Sequence, residues 1–376
     1  MRLPAIICFG ALLWIGSIAR AALSTATIFS PANGRNLSFQ VYTPPGYAAN
    51  PSSRYPVVFS LHGIGGTSQQ RANLYGPTLD ARTIAGEILP MIWVFPDGQT
   101  NSFYGDAFDG HKQVYSHIIH EALPYVDSQY RTIAQREFRA MEGFSMGGYG
   151  AALFAAKHPE LFSAIVEYGG ALATWQNLVQ FNNAVATEMY NSAEADFLPY
   201  SLWSVATANA TAIREGVNFK MIVGDADSQY QSNVRFRDHL LGLGIDPQFD
   251  VLPDVEHIGG AYLSDGTGLR FLSQHLAANF LRTGDFDRDG NVGAGDYDVW
   301  KATFGSTAQL MADGNEDGIV DAADYVIWRR GLAESDELTA FDTARDAMLL
   351  TAVPEPWSWA LSIIGCALVF FRRQGR

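Results

Sequence analysis

The sequence predicts an α/β domain with a mostly parallel central sheet flanked by helices, followed by a small α-helical module built on two acidic loops. Three observations carry this. Apolar runs of strand length alternate with helix-length stretches between Ile28 and Leu281. A sharp turn, Gly143-Phe144-Ser145-Met146-Gly147-Gly148, stands between one such strand and one such helix. After Gly284 an acidic pattern occurs twice at a fixed offset.

The elements follow in order. Arg2, the apolar run Ile6 to Ile18 and the A-x-A pattern Ala19-Arg20-Ala21 predict a signal peptide over residues 1–21 and therefore an exported protein. A domain over residues 22–283 comes next. Ile28 to Thr43 alternates in Leu37-Ser38-Phe39-Gln40-Val41-Tyr42, which predicts paired edge strands, and Pro44-Pro45-Gly46 ends them. Tyr55 to Leu61 is a buried strand that empties into His62-Gly63-Ile64-Gly65-Gly66, and Met91 to Phe95 is another, stopped by Pro96-Asp97-Gly98. His117 to Arg131 has helical spacing. Phe138 to Met141 leads as a strand into the turn, and Tyr149 to Lys157 leads out as a helix. Phe162 to Tyr168, Phe219 to Val223 and Gln248 to Leu252 complete the strands, and Gly268 to Leu281 is the last helix. Ala171 to Asn218 has no strand signal. Its Trp175, Phe181, Tyr190, Phe197, Tyr200 and Trp203 are expected to pack cap helices, one or two of them lining an acyl pocket.

The turn reads as a nucleophile elbow. A serine on so sharp a strand-to-helix turn adopts a strained backbone, so the positions two residues either side must be nearly free of side chain, and Gly143 and Gly147 meet that need. The following helix offers its positive end to a developing oxyanion. A serine nucleophile needs a base and an acid, which in the α/β-hydrolase fold follow in the order Ser, Asp or Glu, His and sit past strand ends. Asp225 and Asp227 both follow Met221-Ile222-Val223, and either serves as the acid. His257 follows Val251-Leu252. Of the eight histidines, His117, His120, His239 and His275 lie in helical stretches, His158 at a helix end, His111 in an irregular region and His62 upstream of the serine. His257 alone satisfies both order and place. The glycine loop after His62 brings a backbone N–H to the substrate, which assigns the oxyanion donors to the backbones of Ile64 and Met146.

Val41-Tyr42-Thr43-Pro44-Pro45-Gly46-Tyr47, Tyr55 to Gly63 and Gly143 to Ala151 resemble the putative-esterase family, which includes esterase D-like enzymes, feruloyl esterases and mycolyltransferases. The resemblance covers Ile28 to Leu281. It implies an α/β-hydrolase fold and a serine carboxylester hydrolase with no cofactor for catalysis. The family's Gly-x-x-Asp motif matches Gly224 to Asp227 and favours Asp227 as the acid. Ile258-Gly259 departs from the family, whose members often carry an aromatic residue soon after this histidine. The implied substrates are feruloyl or acetyl esters of polysaccharide. Polyester or general aryl and alkyl ester hydrolysis, acyl transfer and peptidase activity stay open, as does a catalytically silent scaffold that binds a glycan or partner.

In the module over residues 284–332, Asp285, Asp287, Asp289, Asn291 and Asp296 form one loop, and Asp313, Asn315, Asp317, Ile319, Asp321 and Asp324 the other. The first aspartates and the tryptophans Trp300 and Trp328 are each 28 residues apart. Oxygen ligands at positions 1, 3 and 5, glycine at 6 and a carboxylate at 12 describe an EF-hand-type calcium loop. Gly293 at position 9 of the first loop calls for a water there. The paired loops with aspartate at 12 resemble a type I dockerin, which implies a cohesin-like partner. Residues 333–352 read as a linker. Over residues 353–376, Val353-Pro354-Glu355-Pro356, an apolar run of 15 residues from Trp357 to Phe371, and Arg372, Arg373 and Arg376 resemble a PEP-CTERM sorting signal, which implies membrane-bound sorting machinery and release or attachment at a bacterial cell surface. Cys8 and Cys366 are the only cysteines, so the processed chain has no disulfide and no thiol nucleophile. With 39 acidic against 25 basic residues, a formal charge of −14 argues against nucleic acid as a partner.

Overall fold

A computed structural model describes residues 21–333. The signal peptide expected over residues 1–21 lies outside the described residues but for its last residue, and the linker and sorting segment expected over 333–352 and 353–376 lie outside them but for residue 333. The described residues fall into two compact units. The first runs to Arg282 and takes in Asp287–Asn291; the second comprises Thr283–Phe286 and resumes at Val292.

The first unit is an α/β fold on one eight-stranded sheet. Its strands are β1 (Ala22–Ser30), β2 (Arg35–Thr43), β3 (Val57–Leu61), β4 (Ile92–Phe95), β5 (Arg139–Phe144), β6 (Ala164–Tyr168), β7 (Asn218–Gly224) and β8 (Gln248–Leu252). They lie in the order β1-β2-β4-β3-β5-β6-β7-β8. The β1–β2 and β2–β4 pairs are antiparallel, and every pairing from β4 through β8 is parallel. All residues of β3, β4 and β6 are buried, as strands with helices on both faces must be. Alternate residues enter opposite cores. Phe59, Met141 and Ile165 join the layer that holds helix Met146–Lys157, whereas Val58, Ala140 and Val166 face Tyr75, Leu79, Leu269 and Leu272 on helices Ser68–Ile84 and Thr267–Thr283. Helix Met146–Lys157 is buried from Met146 to Ala156, which explains its alanines and glycines: it lies too close to the sheet for large side chains.

Helix Ser68–Ile84 has no counterpart among the expected elements. Polar residues dominate its first turns, and Gly76 and Pro77, both poor helix formers, stand inside it. Thr67 caps it by accepting the Gln70 N–H at 3.2 Å. The helical stretch from His117 forms with a detour. The backbone widens to a π-helix over Ile118–Ala122, just before Pro124, whose ring cannot donate to His120 and would collide with its carbonyl. The segment between β6 and β7 carries helices and no strand. Phe197 and Tyr190 are buried there and Trp175, Tyr200 and Trp203 half-buried, packed ring against ring, while Phe181 is exposed.

The second unit repeats itself. A helix over Ala294–Thr303 and a helical stretch over 322–333 carry equivalent rings. Trp300 Nε1 donates to the Asp321 carbonyl and Trp328 Nε1 to the Gly293 carbonyl, each at 2.8 Å. Gly293 and Asp321 hold the same position in their loops. Each tryptophan therefore closes the other repeat's loop, and Tyr297 and Tyr325 fill the space between them.

Candidate active site

Ser145 stands between β5 and helix Met146–Lys157 with φ 59° and ψ −118°, a backbone that residues with side chains rarely hold. Its neighbours make room. A Cβ on Gly143 would stand 2.1 Å from the Gly147 carbonyl oxygen, and one on Gly147 would stand 2.2 Å from that of Leu61. The turn after β6 fixes the serine's main chain from the other side. Ser145 N–H donates to the Tyr168 carbonyl at 3.0 Å, and Ala171 N–H donates to the Ser145 carbonyl at 2.9 Å.

Ser145, His257 and Asp227, the expected nucleophile, base and acid, come together. Ser145 Oγ lies 2.9 Å from His257 Nε2, and His257 Nδ1 lies 2.9 and 2.8 Å from the two Asp227 oxygens. Burial pushes the Asp227 carboxyl up, but hydrogen bonds from His257, Tyr262 and the Gln229 N–H outweigh it and hold the group below the usual carboxylate range. Asp227 is thus an anion that can stabilise a cationic imidazole. Phe144 lies under the imidazole with ring centroids 4.6 Å apart and limits its tilt. Asp225 points elsewhere. It accepts the Asp254 N–H at 2.8 Å, and its own N–H meets the Leu252 carbonyl at 3.1 Å. It pins the loop that carries His257, which leaves Asp227 as the partner of the imidazole.

Two residues that touch Asp227 escaped the sequence reading. Gln229 donates its N–H to Oδ1 at 2.6 Å, and the Tyr262 hydroxyl donates to Oδ2 while accepting the Gly224 N–H at 2.9 Å. No spacing or motif announces Tyr262. Phe144 was visible as part of the turn, though not as the floor of the histidine.

The glycine loop stands against the serine. A Cβ on Gly63 would sit 3.3 Å from Ser145 Cβ, and Gly66 N–H closes the loop onto the Gly63 carbonyl at 3.0 Å. Ile64 lies on this loop and is exposed. Met146 begins its helix, so its N–H has no acceptor within that helix. His62 is structural. Its Nε2 accepts the Gly98 N–H at 2.9 Å, so Nδ1 carries the proton and donates to the Gly63 carbonyl at 2.8 Å. The Tyr104 hydroxyl donates to the His62 carbonyl at 2.9 Å from a loop in which Gln99, Asn101, Phe103 and Tyr104 all have positive φ. That strain is localised where the backbone supports the glycine loop. His117 bonds Glu121 and His275 bonds Ser163, away from Ser145.

The two acidic loops share geometry as well as sequence. Gly290 and Gly318, at position 6 of each, have φ 87° and 89°. At position 9, the Gly293 N–H donates to Asp296 and the Asp321 N–H to Asp324, each at 2.7 Å. Asp285, Asp296, Asp313 and Asp324 are buried. All the side-chain donors at the ligand positions of the two loops are oxygens, a set that fits a hard cation.

Known proteins give this geometry a family. The pattern of the Putative esterase family matches residues 30–231, more than half of the chain. An esterase of Mycobacterium tuberculosis is 34% identical over 143 residues, which are 37% of this chain and 30% of that protein. An endo-1,4-beta-xylanase/feruloyl esterase of Xylanibacter ruminicola is 32% identical over 147 residues, 37% of this chain and 20% of that protein. The chain therefore matches less than a third of the length of these relatives. Among solved structures, a ferulic acid esterase superposes with a TM-score of 0.59 at 24% identity, covering 68% of this chain and 99% of its own. An S-formylglutathione hydrolase of Agrobacterium tumefaciens superposes with a TM-score of 0.56 at 22% identity, covering 69% and 96%. These likenesses bear on the fold; the match over residues 30–231 bears on kinship, and by it the chain belongs to the Putative esterase family.

Proposed function

We propose that the protein is a serine carboxylester hydrolase working through Ser145, His257 and Asp227. Ser145 Oγ attacks the ester carbonyl as its proton passes to His257 Nε2, and the N–H groups of Ile64 and Met146 receive the oxyanion. Collapse expels the alcohol, which takes the proton from His257 and leaves an acyl group on Ser145. Water then attacks the acyl carbon with His257 again as base, and the acid departs. Asp227 keeps the imidazole proton on Nδ1, so that Nε2 is free to accept. The observation that carries this reading is the unbroken relay from Ser145 Oγ to Asp227 at 2.9 and 2.8 Å on a strained elbow. Ser145→Ala on p-nitrophenyl acetate tests it, with turnover expected to fall by several orders of magnitude. Wild-type turnover in that variant refutes it.

The substrates we favour are feruloyl or acetyl esters of polysaccharide. Family membership supports the ester, and the feruloyl esterase in the name of the Xylanibacter relative supports the acyl group. The two acidic loops are read as structural calcium sites in a dockerin-like module with a cohesin-like partner. The protein is read as exported and sorted at the cell surface. Matched glycine φ values and the oxygen donor set support the calcium reading.

A further inference from the structure

Behind the elbow lies a carboxyl group that the proposed chemistry does not use. Glu167 sits on β6 opposite Gly143 of β5, with none of its surface exposed. Its Oε2 accepts the Gly170 N–H at 2.7 Å, while its Oε1 is buried with no hydrogen-bond partner. Asn233, equally buried, donates to the Gly170 carbonyl at 2.9 Å and also has an unpartnered oxygen, Oδ1. Gly170 is therefore gripped at its N–H and at its carbonyl by two side chains, each with a spare buried acceptor. The adjoining Tyr168 carbonyl and Ala171 N–H are the groups that hold the Ser145 main chain. No cation faces Glu167 among the described residues. The charged group nearest in effect is the Asp227 carboxylate, and Tyr262 is the other titratable neighbour.

We propose that Glu167 is a positioning residue, held as a neutral carboxylic acid, and that its ionisation unseats the turn that fixes the backbone of Ser145. A proton on Glu167 supplies a donor where the geometry offers only spare acceptors. An anion there would be buried beside Asp227 without a counter-charge, which is the costly arrangement. Burial, with the Asp227 charge adding to it, pushes the Glu167 carboxyl up to about 8. The folded protein thus keeps a proton that the unfolded chain releases in the ordinary carboxylate range. Stability accordingly declines as pH rises from that range through about 8.

The proposal rests on Ser145 being the nucleophile, so one arm of the test needs no activity. In Ser145→Ala, infrared difference spectra should show the carbonyl stretch of a protonated carboxylic acid at neutral pH. The signal should vanish well above pH 8 and be missing from Ser145→Ala/Glu167→Gln. In the enzyme with Ser145 intact, kcat/KM on p-nitrophenyl acetate should fall through one ionisation near pH 8, and Glu167→Gln should remove that limb. Glu167→Ala should lower kcat by about 10–100-fold, as a displaced nucleophile does, with KM little changed. Glutamine should restore most of that loss. An unaltered alkaline limb in Glu167→Gln, or no protonated-acid signal in Ser145→Ala, overturns the proposal. Inactivity of the intact enzyme would instead count against the esterase reading and leave the infrared arm standing.

Discussion

Asp227→Asn isolates what the acid does, because the structure dictates how the amide must sit. Oδ1 accepts the Gln229 N–H at 2.6 Å, and a backbone N–H cannot reverse its role. The amide oxygen therefore keeps that place and the NH2 takes the place of Oδ2, 2.8 Å from His257 Nδ1. The Tyr262 hydroxyl already accepts the Gly224 N–H at 2.9 Å, so it would then face donors on two sides and lose its acceptor. Nδ1 then faces the amide NH2 at 2.8 Å beside the amide oxygen at 2.9 Å, so the tautomer with its proton on Nδ1 loses one of two acceptors and its anionic partner. The competing tautomer, with the proton on Nε2, leaves the nitrogen facing Ser145 unable to accept. Loss of tautomer control in a serine triad costs about 10⁴ in kcat, or about 5.5 kcal/mol of barrier. Asp225→Asn is the control. Its carbonyl still accepts the Asp254 N–H, so no more than about 1 kcal/mol, or roughly fivefold, should be lost. The assay is kcat on p-nitrophenyl acetate, with near-ultraviolet dichroism to verify packing. A folded Asp227→Asn enzyme that keeps a tenth of its turnover, or an Asp225→Asn enzyme that loses more, would refute the assignment.

Other outcomes follow from the same geometry. Gly143→Ala puts a methyl 2.1 Å from the Gly147 carbonyl oxygen, backbone that cannot yield without moving the helix. It should cost about 1–3 kcal/mol in a denaturant melt and about 100-fold in kcat, and unchanged kinetics would deny the elbow its strain. Beneath the sheet, Arg71 meets both Glu142 oxygens at 3.0 and 2.8 Å with both residues buried. Glu142→Leu should destabilise by about 3–5 kcal/mol and Arg71→Met/Glu142→Leu by clearly less in urea unfolding; equal losses would mean the lone guanidinium carries no penalty. Chelating calcium should make the chain near Asp296 and Asp324 sensitive to protease and leave hydrolysis of a small soluble ester unchanged, and loss of that hydrolysis would tie the loops to the active site.

The strands were readable because a strand covered on both faces is mostly apolar, with Glu142 and Glu167 as buried exceptions, and glycine or proline bounds each run here. Helix Ser68–Ile84 was not, since Gln69, Gln70 and Asn73 sit in its first turns and Gly76-Pro77, which reads as a helix stop, lies in its middle. Burial of Arg71, Ala72, Tyr75 and Leu79 against the sheet holds it together, and that is a tertiary cause. Ser145 and His257 were legible for a different reason: an elbow constrains its neighbours locally, and the fold orders its catalytic groups along the chain. Asp225 and Asp227 could not be separated on the residues alone, because both follow β7, and only the position of Asp254 shows which of them is occupied elsewhere.

Apart from the Tyr262 hydroxyl, what stayed hidden acts through main chain. Tyr168 and Ala171 hold Ser145 with a carbonyl and an N–H that any residue could supply, so their identities carry no trace of the task. The trace lies in what is excluded. A Cβ on Gly148 would come 2.9 Å from Gly170 Cα, and one on Gly170 would come 2.5 Å from Glu167 Oε2. Gly169-Gly170, which reads in the sequence as the stop of a strand, is therefore the second half of the elbow. Two glycine turns from successive strands are pressed together so closely that neither tolerates a side chain. A buried glutamate follows from the same crowding, because the Gly170 N–H, shut off from water, needs an acceptor from within. The strained serine, the paired glycines and the buried carboxyl thus have one cause, the close approach of the ends of β5 and β6.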